Sequence, residues 1–341
     1  MRVAILGATG AVGREMLRTL EERSFPLDAL VLLSSPRSAG RRLPFRGDDV
    51  VVRAVEDDSF EGVDLALFSA GATASQEYAP RAVDDGAVVV DNSSAFRMDP
   101  GVPLVIPEVN AEALSAHRGI VANPNCTAIT AIMAVAPLHR AAGLRSLVVS
   151  SYQSVSGAGH KGVAELLEQV DKLRGDEEDL ARPDPAVLPV GEVFGKTIAF
   201  NVIPRGGSFE PDGWTTEETK LVTETRKILE LPELAVAATV VRVPVVVGHS
   251  VSAVATFDRA MTPDEARGVF ARAPGMLVVD DPASDTFPTP LAAAGRDEVL
   301  VGRIRSTQGI ANAVQLFAAS DNLRKGAALN AVQIAELVAA R

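Results

Sequence analysis

Cysteine is almost missing from this chain: its 341 residues include one, Cys126. A single thiol closes no internal disulfide and cannot build a thiolate-rich metal site, so no metal is expected. Aromatic residues make up only 4% of the chain, too few for a surface that stacks single-stranded bases. Cations are in deficit, with 33 Lys and Arg against 44 Asp and Glu and a net charge of −11. That balance argues against nucleic acid or an anionic membrane as partner. Any anionic ligand would have to be held by a local group of cations working against the overall field. No apolar run reaches membrane-spanning length. Met1-Arg2 leads directly into an apolar strand at residues 3–6, without the charged and apolar regions of a signal peptide. These absences point to a cytoplasmic protein.

What is present is an α/β pattern, in a chain long enough for two cores. Short apolar runs at residues 3–6, 29–33, 65–68, 87–90 and 120–122 alternate with helical segments. Runs apolar at every position fit strands buried on both faces, so this part reads as a doubly wound parallel sheet of Rossmann type. After about residue 125 the character changes. Helices are expected at 127–142, closed by Gly143, and at 161–174. Runs at 147–152, 198–203, 235–243, 250–257, 277–279, 299–305 and 313–318, several long and alternating, read as a mixed, largely antiparallel sheet. Thr262-Pro263-Asp264-Glu265 is a capping box, and Asp321 is placed to cap the last helix. The acidic, proline-rich stretch 176–189 reads as a surface loop. The expected division is a dinucleotide-binding domain at 1–125, completed by a C-terminal helix at 321–341, and an α+β domain at 126–320.

Gly7, Gly10 and Gly13 sit between the first strand and the first helix. Glycines there allow a tight turn and close backbone approach to a pyrophosphate, and the helix start supplies N–H donors. At the end of the second strand, where an NAD site usually carries an acid, the sequence is Ser34-Ser35-Pro36-Arg37-Ser38. Arg37 and the hydroxyls suit a 2′-phosphate, which favours NADP; an ordinary polar turn is the plainer reading. Asn123-Pro124-Asn125-Cys126-Thr127 places Cys126 at a helix start, where free N–H groups and the dipole are expected to stabilise a thiolate and an oxyanion. A lone cysteine is otherwise a small buried hydrophobe. Of four histidines, His139 reads as structural and His117 as exposed, while His160 follows Gly157-Ala158-Gly159 and could lie near a ligand. His249 stands at a turn between apolar strands, and Arg242 interrupts the same apolar run. An arginine there needs an anion, so the pair reads as a carboxylate clamp and a general base.

Taken in order, Gly7–Gly13, Ser93-Ser94-Ala95-Phe96-Arg97, Asn123–Thr127, residues 152–159, Glu217-Glu218-Thr219-Lys220, residues 242–250 and residues 321–328 resemble the aspartate-semialdehyde dehydrogenase family over nearly the whole chain. The resemblance implies a phosphorylating, NADP-dependent oxidation of aspartate 4-semialdehyde through a thioester on Cys126, with His249 as acid/base. It implies that Arg242 holds the substrate carboxylate, Glu217 its amino group, and that Gln153 orients it. Arg97, Asn125 and Lys220 would form the phosphate pocket. Thr9, Gly10, Ala11, Val12, Arg37, Ser38, Ser156, Gly157 and Asn322 would contact NADP(H). A homodimer or a tetramer of dimers, joined through the second domain, is also implied. Without the resemblance, Glu217 and Lys220 read as an i,i+3 surface pair. Two rivals share many of these features: an N-acetyl-γ-glutamyl-phosphate reductase and a non-catalytic NADP-binding paralogue. The loop Arg205-Gly206-Gly207-Ser208-Phe209-Glu210 departs from the family's usual acidic loop.

Overall fold

The computed structural model describes residues 1–175 and 179–340. Strands β1 (Arg2–Leu6), β2 (Ala29–Ser34), β3 (Arg42–Phe45), β4 (Asp48–Ala54), β5 (Leu65–Phe68), β6 (Val88–Asp91) and β7 (Ile120–Ala122) form one sheet in the order β3-β4-β2-β1-β5-β6-β7. Every neighbouring pair is parallel except the β3–β4 hairpin at the edge. The unbroken apolar runs follow from burial on both faces. Val3 and Ile5 pack against Met16 and Leu20 of helix α1 (Ala11–Glu22). Ala4 and Leu6 point the other way, into a cluster with Ala79 and Ala82 of α2 (Ala72–Asp84). A one-turn helix, α3 (Pro107–Asn110), precedes β7.

The second sheet holds β8 (Leu144–Gln153), β9 (Ala235–Arg242), β10 (His249–Phe257), β11 (Met276–Val278), β12 (Val299–Ser306) and β13 (Ala313–Ser320), in the order β11-β12-β13-β10-β8-β9. The three central pairings are antiparallel and the outer two parallel. One face is covered by α4 (Cys126–Ala142), with Ile129, Ile132 and Met133 set among Leu147, Val149, Val251 and Ala253. Around the sheet lie α5 (Gly159–Leu173), α6 (Thr216–Ile228), α7 (Pro263–Phe270) and α8 (Pro290–Ala293). The opposite face leaves Val148 53% exposed, beside the Tyr152–Phe317 ring pair. The last helix, α9 (Leu329–Ala339), returns to the first sheet, where Val332 and Ile334 join the cluster of Val3 and Ile5. Asp321 accepts from the N–H groups of Leu323 and Arg324 ahead of it, at 2.9 and 3.0 Å.

Residues 198–203, expected as a strand, form none. Phe200 takes a φ of 56°. The N–H groups of Ile198 and Ala199 go to Gln169 Oε1 on α5, at 2.7 and 3.2 Å. The apolar run instead buries Ile198, Ala199 and Ile203 in a small cluster with Leu166 and Phe194. Ile203 alone of the run bridges to a strand, at Arg242. Of the loop expected at 176–189, the first three residues lie outside the described part, and residues 179–181 make one 3-10 turn.

Candidate active site

The glycine turn after β1 is shaped by backbone crowding. A Cβ on Gly7 would lie 2.4 Å from the Ser69 carbonyl oxygen, and one on Gly13 would lie 2.3 Å from that of Gly7. Gly10 caps α1 without a side chain, so the first N–H groups of the helix are available to an anion. Thr9 Oγ1 and Ser34 Oγ, 3.0 Å apart, tie this turn to the end of β2. Arg37 follows on an exposed turn with Ser38. From Gly10, Ala11 and Val12 a cleft of about 330 Å³ runs past Ser156, Gly157 and Asn322 to Cys126. A second cleft of about 570 Å³ shares Cys126, Asn125 and Gly157 with it and continues to Gln153, Glu217, Arg242 and His249. Cys126 thus stands at the junction of a glycine-lined groove and a charged one.

Cys126 is the first residue of α4, and Asn125 is its N-cap, its side-chain oxygen accepting from Thr127 N at 2.9 Å and Ala128 N at 3.3 Å. The expected lowering of the thiol pKa is not found. Burial first and the Glu217 charge second push it up to about 11, against the pull of Arg97, Arg242 and the Thr127 N–H. The helix start was legible in the sequence; the buried carboxylate facing it was not. The resting group at neutral pH is therefore a thiol, and ionisation waits on a change in its surroundings.

His249 opens β10 and is 1% exposed. Burial, then Arg242, lowers its pKa to about 3, with Glu217 opposing. The ring is neutral. Its Nδ1 lies 3.1 Å from the Ser154 N–H, which donates to it. The remaining proton is thereby placed on Nε2. A Cβ on Gly157 would lie 3.2 Å from that Nε2 and 3.0 Å from Arg242 Nη1, so both groups look onto the same spot. Arg242 ends β9 in register with Gln153 and donates to the Ser154 carbonyl at 2.7 Å. Gln153 Nε2 donates to Thr127 Oγ1 at 2.6 Å, which anchors it to the first turn of α4.

Glu217, on α6, takes Lys220 Nζ at 2.7 Å and Asn125 Nδ2 at 2.8 Å. Burial raises its pKa, but Lys220, Asn125 and Arg97 outweigh this and the net shift is downward. Lys220 lines neither cleft; it reaches the site through Glu217. Arg97 lines the first cleft, donating to the carbonyls of Asn123 and Asn92 at 2.9 and 2.8 Å and to Glu224 at 3.0 Å. Asn322 turns its amide oxygen inward, toward Ser154, Ser156 and the Gly248 N–H. Among the other histidines, His139 accepts from Leu144 N, and His160 is exposed at the start of α5.

Sequence reasoning missed Glu224, Ser154, Asn92 and Arg205. Arg205 lines the charged cleft. Asn92 lines the groove, and its amide oxygen and nitrogen have no partner among the described residues. Glu224 sits four residues past Lys220 on α6, in a stretch that gave no motif. No group of His, Cys, Asp and Glu that could hold a metal occurs among the described residues, and no described helix is long and apolar enough to cross a membrane.

Comparison with known proteins finds relatives along nearly the whole chain. Residues 2–117 match the semialdehyde dehydrogenase NAD-binding domain, and residues 135–325 match the semialdehyde dehydrogenase dimerisation domain. Aspartate-semialdehyde dehydrogenase of Bacillus subtilis is 48% identical over 98% of this chain and 96% of its own. The enzyme of Streptomyces akiyoshiensis is 50% identical over 100% and 99%. Among solved structures, aspartate semialdehyde dehydrogenase II from Vibrio cholerae, also known complexed with ASA, superposes with a TM-score of 0.93 at 42% identity, covering 99% of this chain and 98% of that one. The chain belongs to the aspartate-semialdehyde dehydrogenase family.

Proposed function

We propose that this protein is an NADP-dependent, phosphorylating aspartate-semialdehyde dehydrogenase that works through a thioester on Cys126. The observation that carries the reading is the junction itself: the chain's single thiol stands where a dinucleotide groove meets a cleft lined by Arg242, Glu217, Gln153 and His249. The residues suit a dinucleotide, since the uncapped first turn of α1 offers N–H groups to a pyrophosphate and glycines keep the approach open.

In the cleft, Arg242 takes the substrate carboxylate through its planar fork and Glu217 takes the amino group. The Cys126 sulfur adds to the aldehyde carbon: the C–S bond forms, the carbonyl π bond opens, and the proton lost from sulfur passes to the carbonyl oxygen, which the Nε2–H of the neutral His249 ring hydrogen-bonds. Oxidation of this thiohemiacetal breaks its C–H bond, the hydride leaving for the acceptor and the hydroxyl proton for solvent. NADP supplies the hydride acceptor when bound. The resulting thioester is opened by phosphate: a C–O bond forms, the C–S bond breaks, and sulfur leaves as thiolate. Arg97 and Asn125 hold the phosphate, with Lys220 behind Glu217. The exposed face of the second sheet, with Val148, Tyr152 and Phe317, is the surface through which the chain pairs as a homodimer.

Two measurements test the reading. NADPH should form with aspartate 4-semialdehyde and phosphate, and far more slowly with the N-acetylglutamate analogue, whose acylated amine has no use for Glu217. Rapidly quenched protein given NADP and semialdehyde without phosphate should carry an aspartyl adduct on the Cys126 peptide. Equal use of both substrates, or an adduct elsewhere, would refute it.

A further inference from the structure

Glu224 is 1% exposed. A carboxylate that deep is costly unless donors meet its oxygens. Both oxygens are met. Oε1 accepts from Arg97 Nη1 at 3.0 Å, and Oε2 accepts from the backbone N–H of Asn125 at 2.6 Å. Asn125 is the residue that caps α4 and immediately precedes Cys126. One side chain therefore joins the guanidinium that lines the groove to the backbone that carries the thiol. Arg97 is placed independently by the carbonyls of Asn123 and Asn92. Burial raises the Glu224 pKa, against the pull of Arg97 and the Asn125 N–H; because each oxygen already faces a donor, the ionised form is the one this geometry fits, and what Glu224 adds is the opposite charge. Three of the five Arg97 N–H groups are engaged, which leaves two for an anion entering the groove.

We infer that Glu224 is a positioning residue that fixes the Asn125–Cys126 backbone and tempers the attraction of Arg97 for phosphate. The inference rests on the reading of Arg97 as a phosphate ligand. It makes the two partners of one ion pair act on phosphate binding with opposite signs. Loss of Arg97 removes a ligand. Loss of the Glu224 charge leaves Arg97 in place with its charge uncompensated, while the backbone ahead of Cys126 loses a charged acceptor. It also removes a negative charge near the thiol, which Arg97 pulls toward ionisation and Glu217 pushes away from it.

The test compares Arg97→Met, Glu224→Gln and the double variant in the full chain. The readouts are kcat and KM for phosphate, and the rate of Cys126 alkylation by iodoacetamide at one fixed pH near neutrality without substrate. Arg97→Met should raise the phosphate KM about tenfold and slow alkylation. Glu224→Gln should lower the phosphate KM severalfold, lower kcat, and speed alkylation roughly threefold to tenfold. The double variant should alkylate faster than Arg97→Met and return toward wild type. A phosphate KM raised by Glu224→Gln would mean that the carboxylate only holds Arg97 in place, and an unchanged alkylation rate would mean that it does not act on the thiol; either overturns the inference. Should Glu224→Gln fail to fold, the double variant buries no unpaired charge, and equal alkylation rates for it and Arg97→Met overturn the inference as well. If Arg97→Met leaves the phosphate KM unchanged, the assignment of the phosphate pocket is what fails, and the alkylation series still judges Glu224.

Discussion

The two clefts that meet at Cys126 are built by different means. The α1 end of the groove is made from consecutive backbone, since β1, Gly7, Gly10, Gly13 and the first turn of the helix follow one another in the chain, while its other end, toward Cys126, draws on distant residues such as Arg97, Ser156 and Asn322. The charged cleft is made from side chains that the fold collects from Cys126, Gln153, Glu217, Arg242 and His249. A turn of glycines presents N–H groups whose charge is fixed. A cleft of ionisable side chains presents charges that depend on one another: Glu217 raises the thiol, Arg242 lowers His249, and Lys220 and Asn125 hold Glu217 ionised. Changes in the charged cleft should therefore disturb chemistry, and changes in the groove should disturb cofactor affinity.

The largest expected effect is that of Cys126→Ser. An alcohol at this position is far less ionised and a poorer leaving group, so turnover should fall on the order of a thousandfold or more. NADP affinity, measured by fluorescence titration, should stay near wild type, because a serine is close in size to the cysteine where the groove ends and leaves the turn at α1 untouched. Retained turnover would exclude covalent catalysis.

Arg242→Lys should be next. The side chain is held at the end of β9 by the Ser154 carbonyl, and an ammonium cannot reproduce its fork on a carboxylate. About a hundredfold loss in kcat/KM for semialdehyde, roughly 3 kcal/mol, is expected. A loss confined to the cofactor KM would break the division between the clefts.

His249 gives a pH-dependent effect. Its pKa in the folded protein lies at about 3, against an ordinary 6.5. Between those values the unfolded chain binds a proton that the folded ring refuses, so stability falls as pH is lowered through that window and is untouched above it. The difference in urea midpoint between wild type and His249→Asn should be constant above about pH 7.5 and move toward the variant as pH falls to about 4, with wild type losing more. Parallel curves would show that the ring takes a proton in the folded state.

How much of this was legible depends on how local each feature is. The glycine turn, the helix start at Cys126 and the doubly buried strands were all readable, because each is set by neighbours in the chain. Arg242 and His249 stood out as charged or titratable residues in apolar strands. The raised thiol pKa is not legible, because its main cause, burial, and its second, Glu217, ninety-one positions away, both come from the fold, and nothing local tells that this carboxylate faces α4. Glu224 is not legible for the same reason: on α6 it looks like one of three acids offset by three bases. Residues 198–203 were misread because an apolar run states that it is buried, not that its backbone pairs. Here Gln169 takes the N–H groups a strand would have used.

Gly13→Ala tests the groove. The new methyl would press on the Gly7 carbonyl and Ala8 Cα, at 2.3 and 2.8 Å, both backbone atoms. Relief requires the turn or α1 to shift, at a cost of ~1–3 kcal/mol. NADP affinity should drop with stability, while alkylation of Cys126 without cofactor should keep its rate. An alkylation rate that fell in step would mean that the two clefts are mechanically one.

Arg37→Ala should have the smallest effect and the most selective one. Arg37 is exposed on the turn after β2 and lines neither cleft. Thr9 and Ser34 tie that turn to the glycine turn, which sets Arg37 beyond the groove's end, where the far ribose of a dinucleotide would lie. No acid follows β2 to receive a 2′-hydroxyl; the turn reads Ser35-Pro36-Arg37-Ser38. A solvent-exposed cation gains little from a neutral ribose and more from a phosphate, whose charge it meets with a planar fork. Removing it should raise the KM for NADP about tenfold, leave that for NAD unchanged within a factor of about two, and leave kcat with either unaffected. Salt should weaken NADP binding in wild type more than in the variant, since the lost contact is a screened one. If wild type already used NAD as well as NADP, or if the variant weakened both equally, Arg37 would be an ordinary turn residue and the preference would have to reside in the serines.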